Sequence, residues 1–211
     1  VNTGRCFFGK LSNRNSQTID FFYDDFIWSD SAYPGVGQCS VLLPEAAGTY
    51  QTWTRGGTDT GANWSQVNEL PPNGNTTYLV SPLVLNDAET EDVQTSGTVG
   101  ITGTVNSVKA ESIFAQNVAG GTVQLRLRSA STDNNTSNYT TTASYVAIEK
   151  IYDTDPATSS AWTLGGIDGL ECGALDTNAA NQVRMTWTGV MVDYTPPSTT
   201  TNSGFFRLLR G

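Results

Sequence analysis

Apolar positions along this chain recur mainly with a period of two, the signature of strands with one or two buried faces. Segment 18–28, TIDFFYDDFIW, carries Ile19, Phe21, Tyr23, Asp25 and Ile27 on one parity. Phe22, Asp24, Phe26 and Trp28 fall on the other. Aromatics on both faces predict a strand buried on both sides or at a subunit contact. CSVLL (39–43) reads as a strand stopped by Pro44. A long alternating run covers 105–117 and ends near a Gly120-Gly121 turn. TVQLRLRSA (122–130) places Val123, Leu125 and Leu127 on one face and Arg126 and Arg128 on the other, so one face is wet. Segments 145–152 and 183–194 complete the predicted set. In the last, Met185, Trp187, Gly189, Met191 and Asp193 share a face. No window of a dozen residues carries a helical stripe. The best short helix lies within AWTLGGIDG (161–169), where glycines limit it to one or two turns.

Turn-rich stretches separate these runs: TRGGTDTGA (54–62), PPNGNTT (71–77) and STDNNTSNYTTT (131–142), the last read as an exposed hairpin tip. The fold class predicted is all-β, an antiparallel, jelly-roll-like β-sandwich with at most one short helix. Residues 1–195 form the sandwich, with possible subregions of 1–45 and 46–195. Residues 196–211 are a Pro/Thr/Ser linker followed by FFRLLRG. That apolar, basic ending has two readings, a terminal strand on its own sheet or a tail that docks on a neighbouring subunit.

Composition narrows function. A net charge of −9 disfavours nucleic acid and anionic membranes as partners. Aromatics at 10% and charged residues at 15% are those of a folding chain rather than a disordered one. Cys6, Cys39 and Cys172, an odd and widely spaced set, read as buried free thiols rather than a disulfide framework.

The chain has no histidine, which removes the usual general base, the commonest metal ligand and every His-containing triad. Asp24 and Asp25 are adjacent on a strand, so they point to opposite faces and make no glycosidase pair by themselves. Asp153 and Asp155 read as turn caps more readily than as a calcium site. No enzyme, metal or cofactor is expected. Trp53 and Trp64 flank the loop 55–61 and are the candidate glycan contacts, against the alternative that both pack at the core edge. N-x-S/T sequons at Asn63, Asn75, Asn134, Asn135 and Asn138 follow from a composition rich in Asn and Thr.

FYDDFIW (22–28), GQCSVLLPEAAGTYQTWT (37–54) and NWSQVNELPPNGNTTYLVS (63–81) together resemble a pattern in tailed-phage virion proteins. So do VQLRLRS (123–129), TASYVAIEKIYDTDPATSSAWTLGGIDGLECGAL (142–175) and VRMTWTGVMVDYTP (183–196). The resemblance spans most of residues 17–195 and touches the C-terminal part of laminin-G or concanavalin-like phage proteins. It implies a virion structural protein, of the tail-fibre, head-fibre or capsid-decoration type, assembled in the host cytoplasm and carried on the extracellular particle. Its partners would be other virion proteins and copies of itself, with a trimer as the candidate symmetry. Phe21, Phe22, Phe26 and Trp28 would then build core or interface, and Phe205, Phe206, Arg207, Leu208, Leu209 and Arg210 would dock a neighbour. The alternative reading is a receptor- or carbohydrate-binding module that uses Trp53 and Trp64 on a host-surface glycan.

Overall fold

The computed structural model describes residues 37–58 and 60–197. Its strands are Gln38–Leu42 (β1), Pro44–Gln51 (β2), Thr54–Gly57 (β3), Thr77–Val80 (β4), Asp87–Val93 (β5) and Thr104–Gln116 (β6). They continue with Thr122–Ser129 (β7), Thr132–Asn135 (β8), Tyr139–Thr140 (β9), Val146–Tyr152 (β10), Leu170–Asp176 (β11) and Val183–Thr195 (β12). Two six-stranded antiparallel sheets result. The first runs β10-β6-β12-β4-β3 with β1 also on β12; the second runs β2-β5-β11-β7-β8 with β9 also on β7. The molecule is the antiparallel β-sandwich that the period-two pattern predicts.

Pro44 does more than stop β1. It opens β2 in the other sheet, opposite Val93, at an edge where a missing N–H costs no ladder bond. The chain thus changes sheets at Leu43. Among the described residues helix is confined to single turns, Ser96–Val99 (α1), Leu164–Ile167 (α2) and a 3-10 turn at Asn63–Gln66. α2 is the short helix expected within 161–169; α1 is one more than expected. End caps stabilise α1 in place of an apolar stripe: the Thr95 hydroxyl accepts from the Thr98 amide, and Gly100 closes the turn at φ 75°.

Val123, Leu125 and Leu127 are fully buried, as their parity predicts. The core forms two clusters. One contains Leu42, Val108, Leu125, Leu127, Trp162, Leu170 and Val190; the other contains Trp53, Leu79, Phe114, Val123, Val183 and Met185. A polar layer lies between them along the strands. The Ser112 and Thr188 hydroxyls are 2.6 Å apart, and the Cys172 thiol donates to the Gly189 carbonyl at 3.4 Å. Glu89 and Glu91 on β5 are both fully buried. Glu89 accepts from the Trp53 amide at 2.8 Å and from Asn63 Nδ2 at 2.6 Å, and Glu91 accepts from Gln51 Nε2 at 3.0 Å. Burial, then the charge of Glu89, pushes the Glu91 carboxyl up to about 9.

Two expectations are corrected. Met185 and Trp187 do not share a face, because β12 bulges between them against β6. Met185 joins the core, while Trp187 lies across Gly189, whose added Cβ would stand 2.9 Å from its ring. Cys172 is a buried free thiol, but Cys39 is free and exposed, since the alternation that turns Leu42 inward turns Cys39 outward. Cys6, the aromatic strand 18–28 with Phe21, Phe22, Phe26 and Trp28, and the segment 205–210 lie outside the described residues.

Candidate functional site

The outer face of the second sheet carries a connected polar surface. On β7 the parity that buries Leu125 and Leu127 sends Arg126 and Arg128 outward. Antiparallel register sets Glu171 of β11 and Asp133 of β8 beside Arg128, and Asn135 beside Arg126. Arg128 Nη1 meets Asp133 Oδ1 at 2.6 Å, Arg126 Nη1 lies 3.5 Å from Asp133 Oδ2, and Arg126 Nε donates to Asn135 Oδ1 at 2.9 Å.

β2 supplies the aromatic element. Its pairing with β5 is irregular between Ala47 and Gln51. At Gly48 an added Cβ would stand 2.4 Å from the Thr90 carbonyl oxygen and 2.7 Å from Glu171 Oε2, so only glycine allows this approach. The Thr49 amide and hydroxyl then donate to Glu171 at 2.7 and 2.6 Å. Tyr50 reaches across the sheet to donate its hydroxyl to Asp133 Oδ2 at 2.8 Å. The guanidinium carbons of Arg126 and Arg128 lie 4.9 and 5.6 Å from its ring centroid. Tyr50 is half-buried, so part of its side chain stays accessible to solvent.

Charge reinforces the geometry. Burial opposes ionisation of Asp133, but hydrogen bonds from Arg128 and Tyr50 and both guanidinium charges outweigh it, leaving the carboxyl below the usual range. The same hydrogen bond to Asp133, with burial second, holds the Tyr50 hydroxyl above its ordinary value.

On the far side of β8 lies a cleft of about 380 Å³, between loop 136–138 and β10. Asn135, Thr136, Ser137, Asn138, Tyr139, Ile148, Glu149 and Lys150 line it. Tyr139 and Ile148 pack against the Trp53–Phe114 cluster. Asn135 belongs to both surfaces, since it also binds Arg126. Segment 131–142 is therefore not a free hairpin tip: β8 and β9 both pair with β7, and Thr141 is buried.

Of the two tryptophans expected to touch glycan, Trp53 is only 3% exposed and sits in the core, so its ring offers no face to a sugar. The alternative that it packs in the core holds. Trp64, on the Asn63–Gln66 turn, stays half-buried. Asp155 is a turn cap: its carboxylate accepts from Ser129 Oγ at 2.7 Å, the Ala157 amide at 2.9 Å and Thr158 Oγ1 at 3.2 Å. Sequence reasoning misses Tyr50, Asp133 and Glu171. Tyr50 and Asp133 are 83 residues apart, and only the glycine two residues before the tyrosine hints at a strand irregularity.

No family model and no curated protein matches the chain. Among solved structures it is similar to the CBM22-1 xylan-binding domain of Paenibacillus barcinonensis Xyn10C, at 11% identity and TM-score 0.41, covering 77% of this chain and 99% of that one. It is also similar to the xylan-binding module CBM15, at 10% identity and TM-score 0.40, covering 77% and 99%. A third is the carbohydrate-binding module CBM6cm-2 of Cellvibrio mixtus lichenase 5A, in complex with cellotriose, at 15% identity and TM-score 0.35, covering 74% and 97%.

Proposed function

We propose that this chain is a non-catalytic glycan-binding β-sandwich. The observation that carries the reading is Tyr50, a half-buried ring with two guanidinium groups against it and a fixed hydroxyl. A sugar ring has apolar C–H faces that stack on an aromatic ring, and hydroxyls that both donate and accept. Thr49, Glu171, Asp133 and Asn135 border that ring with donors and acceptors already held in place by the sheet. Fixing the ring beforehand lowers the ordering cost of binding.

The test is a glycan array followed by calorimetry on the bound sugars. Tyr50→Ala should weaken binding roughly tenfold or more, while the melting profile shows the sandwich intact. Tyr50→Phe keeps the ring, loses the bond to Asp133 and should fall between the two. Unchanged affinity in Tyr50→Ala, or an array that captures nothing, ends this reading.

A second reading, the virion structural subunit implied by the resemblance, is favoured by one surface feature. Leu83, Val84 and Leu85 are consecutive and 57%, 54% and 57% exposed, the kind of apolar run that assembly contacts cover. The readings are compatible, since a particle subunit can carry a glycan site toward its host. Quantitative mass spectrometry of purified particles from the source tests it. A copy number near that of the major shell protein indicates a decoration subunit, and a low symmetric count indicates a fibre or tail part. Absence from particles removes the virion reading.

A further inference from the structure

We propose that the cleft beside β10 takes the acidic group of a charged saccharide, a uronic or sialic acid, with Lys150 as its counter-ion. This rests on the glycan reading and adds to it a substrate class and a second subsite. The volume of about 380 Å³ lies in the range of small-ligand pockets. Its lining combines a fixed aromatic side chain, Tyr139, and an apolar one, Ile148, with the amides and hydroxyls of Asn135, Thr136 and Asn138.

The charge decides the class. β10 alternates, so Lys150 shares a parity with Ile148; Glu149 also borders the cleft, but its carboxylate is held by Lys109 at 2.8 Å. Lys109 is further paired with Glu111 at 2.7 Å. Lys150 instead donates to a neutral acceptor, Asn134 Oδ1, at 2.8 Å, and its Nζ lies 4.7 Å from the Tyr152 ring centroid. Among the described residues no carboxylate lies within 4.0 Å of its Nζ. An ammonium has three N–H donors, and Asn134 takes one. On a chain of net charge −9, this is a cation from a residue that lines a sugar-sized cleft, with donors to spare. A carboxylate on the ligand would complete it with a charge-assisted hydrogen bond.

The experiment measures affinity for a panel of uronic- and sialic-acid oligosaccharides, each beside its carboxyl-reduced, neutral form. The wild-type chain should prefer the acidic member of a bound pair by roughly tenfold. That preference should shrink as sodium chloride rises, while neutral binding holds. Lys150→Gln should remove the preference, and Lys150→Arg should keep it. Equal affinity for both members of each pair overturns the inference and leaves the glycan reading standing. So does a preference that survives Lys150→Gln. Failure to bind any member, acidic or neutral, overturns both. Salt dependence of the wild-type chain needs no variant, so a poorly folded substitution cannot obscure the answer.

Discussion

Stability should fall as pH rises from about 5 to about 9, and replacing one interior carboxyl should flatten that slope. Glu91 has an ordinary value of 4.5 and is pushed up to about 9 in the folded chain. Across that interval the folded state holds a proton that the unfolded chain has released. A folded-state value raised above the unfolded one gives a contribution fully present below the lower value and lost as pH passes through the higher one. One retained proton gives a slope of up to roughly 1.4 kcal/mol per pH unit. Asp176 and Asp92, both raised by burial first, add in the same direction. Urea denaturation at several pH values reads the effect. Glu91→Gln keeps the size of the side chain but cannot ionise, so it should match the wild type near pH 5 and exceed it near pH 9. A wild-type profile that is flat, or that rises with pH, contradicts the protonated pair.

Asp133→Ala should destabilise the fold by about 2–3 kcal/mol and remove glycan binding together. The Arg126 and Arg128 side chains are only 9% and 14% exposed, and each has Asp133 within 3.5 Å. Deleting the carboxylate leaves two poorly solvated cations near one another and frees the Tyr50 hydroxyl. The value sits below that of a fully buried pair because Asp133 is itself 25% exposed. Asp133→Asn keeps an acceptor for either Tyr50 or Arg128, so it should recover part of the stability. Chemical denaturation and calorimetry with a bound sugar give both numbers. Binding that survives Asp133→Ala unchanged would separate the tyrosine from the recognition surface.

How far the sequence discloses this architecture depends on where each strand keeps its polar residues. β7 is readable because its leucines go inward and its arginines outward. β5, DAETEDV, is not: Glu89 and Glu91 occupy inward positions, so its pattern argues against the strand it forms. β11, LECGALD, is hidden in the same way by Cys172 and Asp176, which take core positions on one face. β2, PEAAGTYQ, alternates in burial, but alanine and glycine at its covered positions leave no apolar pattern to read. Half of the candidate site, Arg126 and Arg128 on the face opposite the leucines, is visible from period two alone, but that face is largely covered rather than wet. The partners that organise it come from β2, β8 and β11, and their registers are long-range facts that local pattern does not carry. Trp53 illustrates the converse: a tryptophan beside a polar loop reads as surface, yet its amide is tied to Glu89 and its ring fills the core.

The polar layer also answers a question of alignment. β6 and β12 are the longest strands, thirteen residues each, and their inward faces are mostly valine, alanine and other apolar side chains. Such faces alone would tolerate a shift of two residues, which preserves inside and outside. Ser112 and Thr188 do not tolerate it, because their hydroxyls meet only when these two positions are opposite. A two-residue slip would bury each hydroxyl against hydrocarbon. One small hydroxyl pair thus acts as a registration mark, selecting a single alignment among several that the apolar residues would accept.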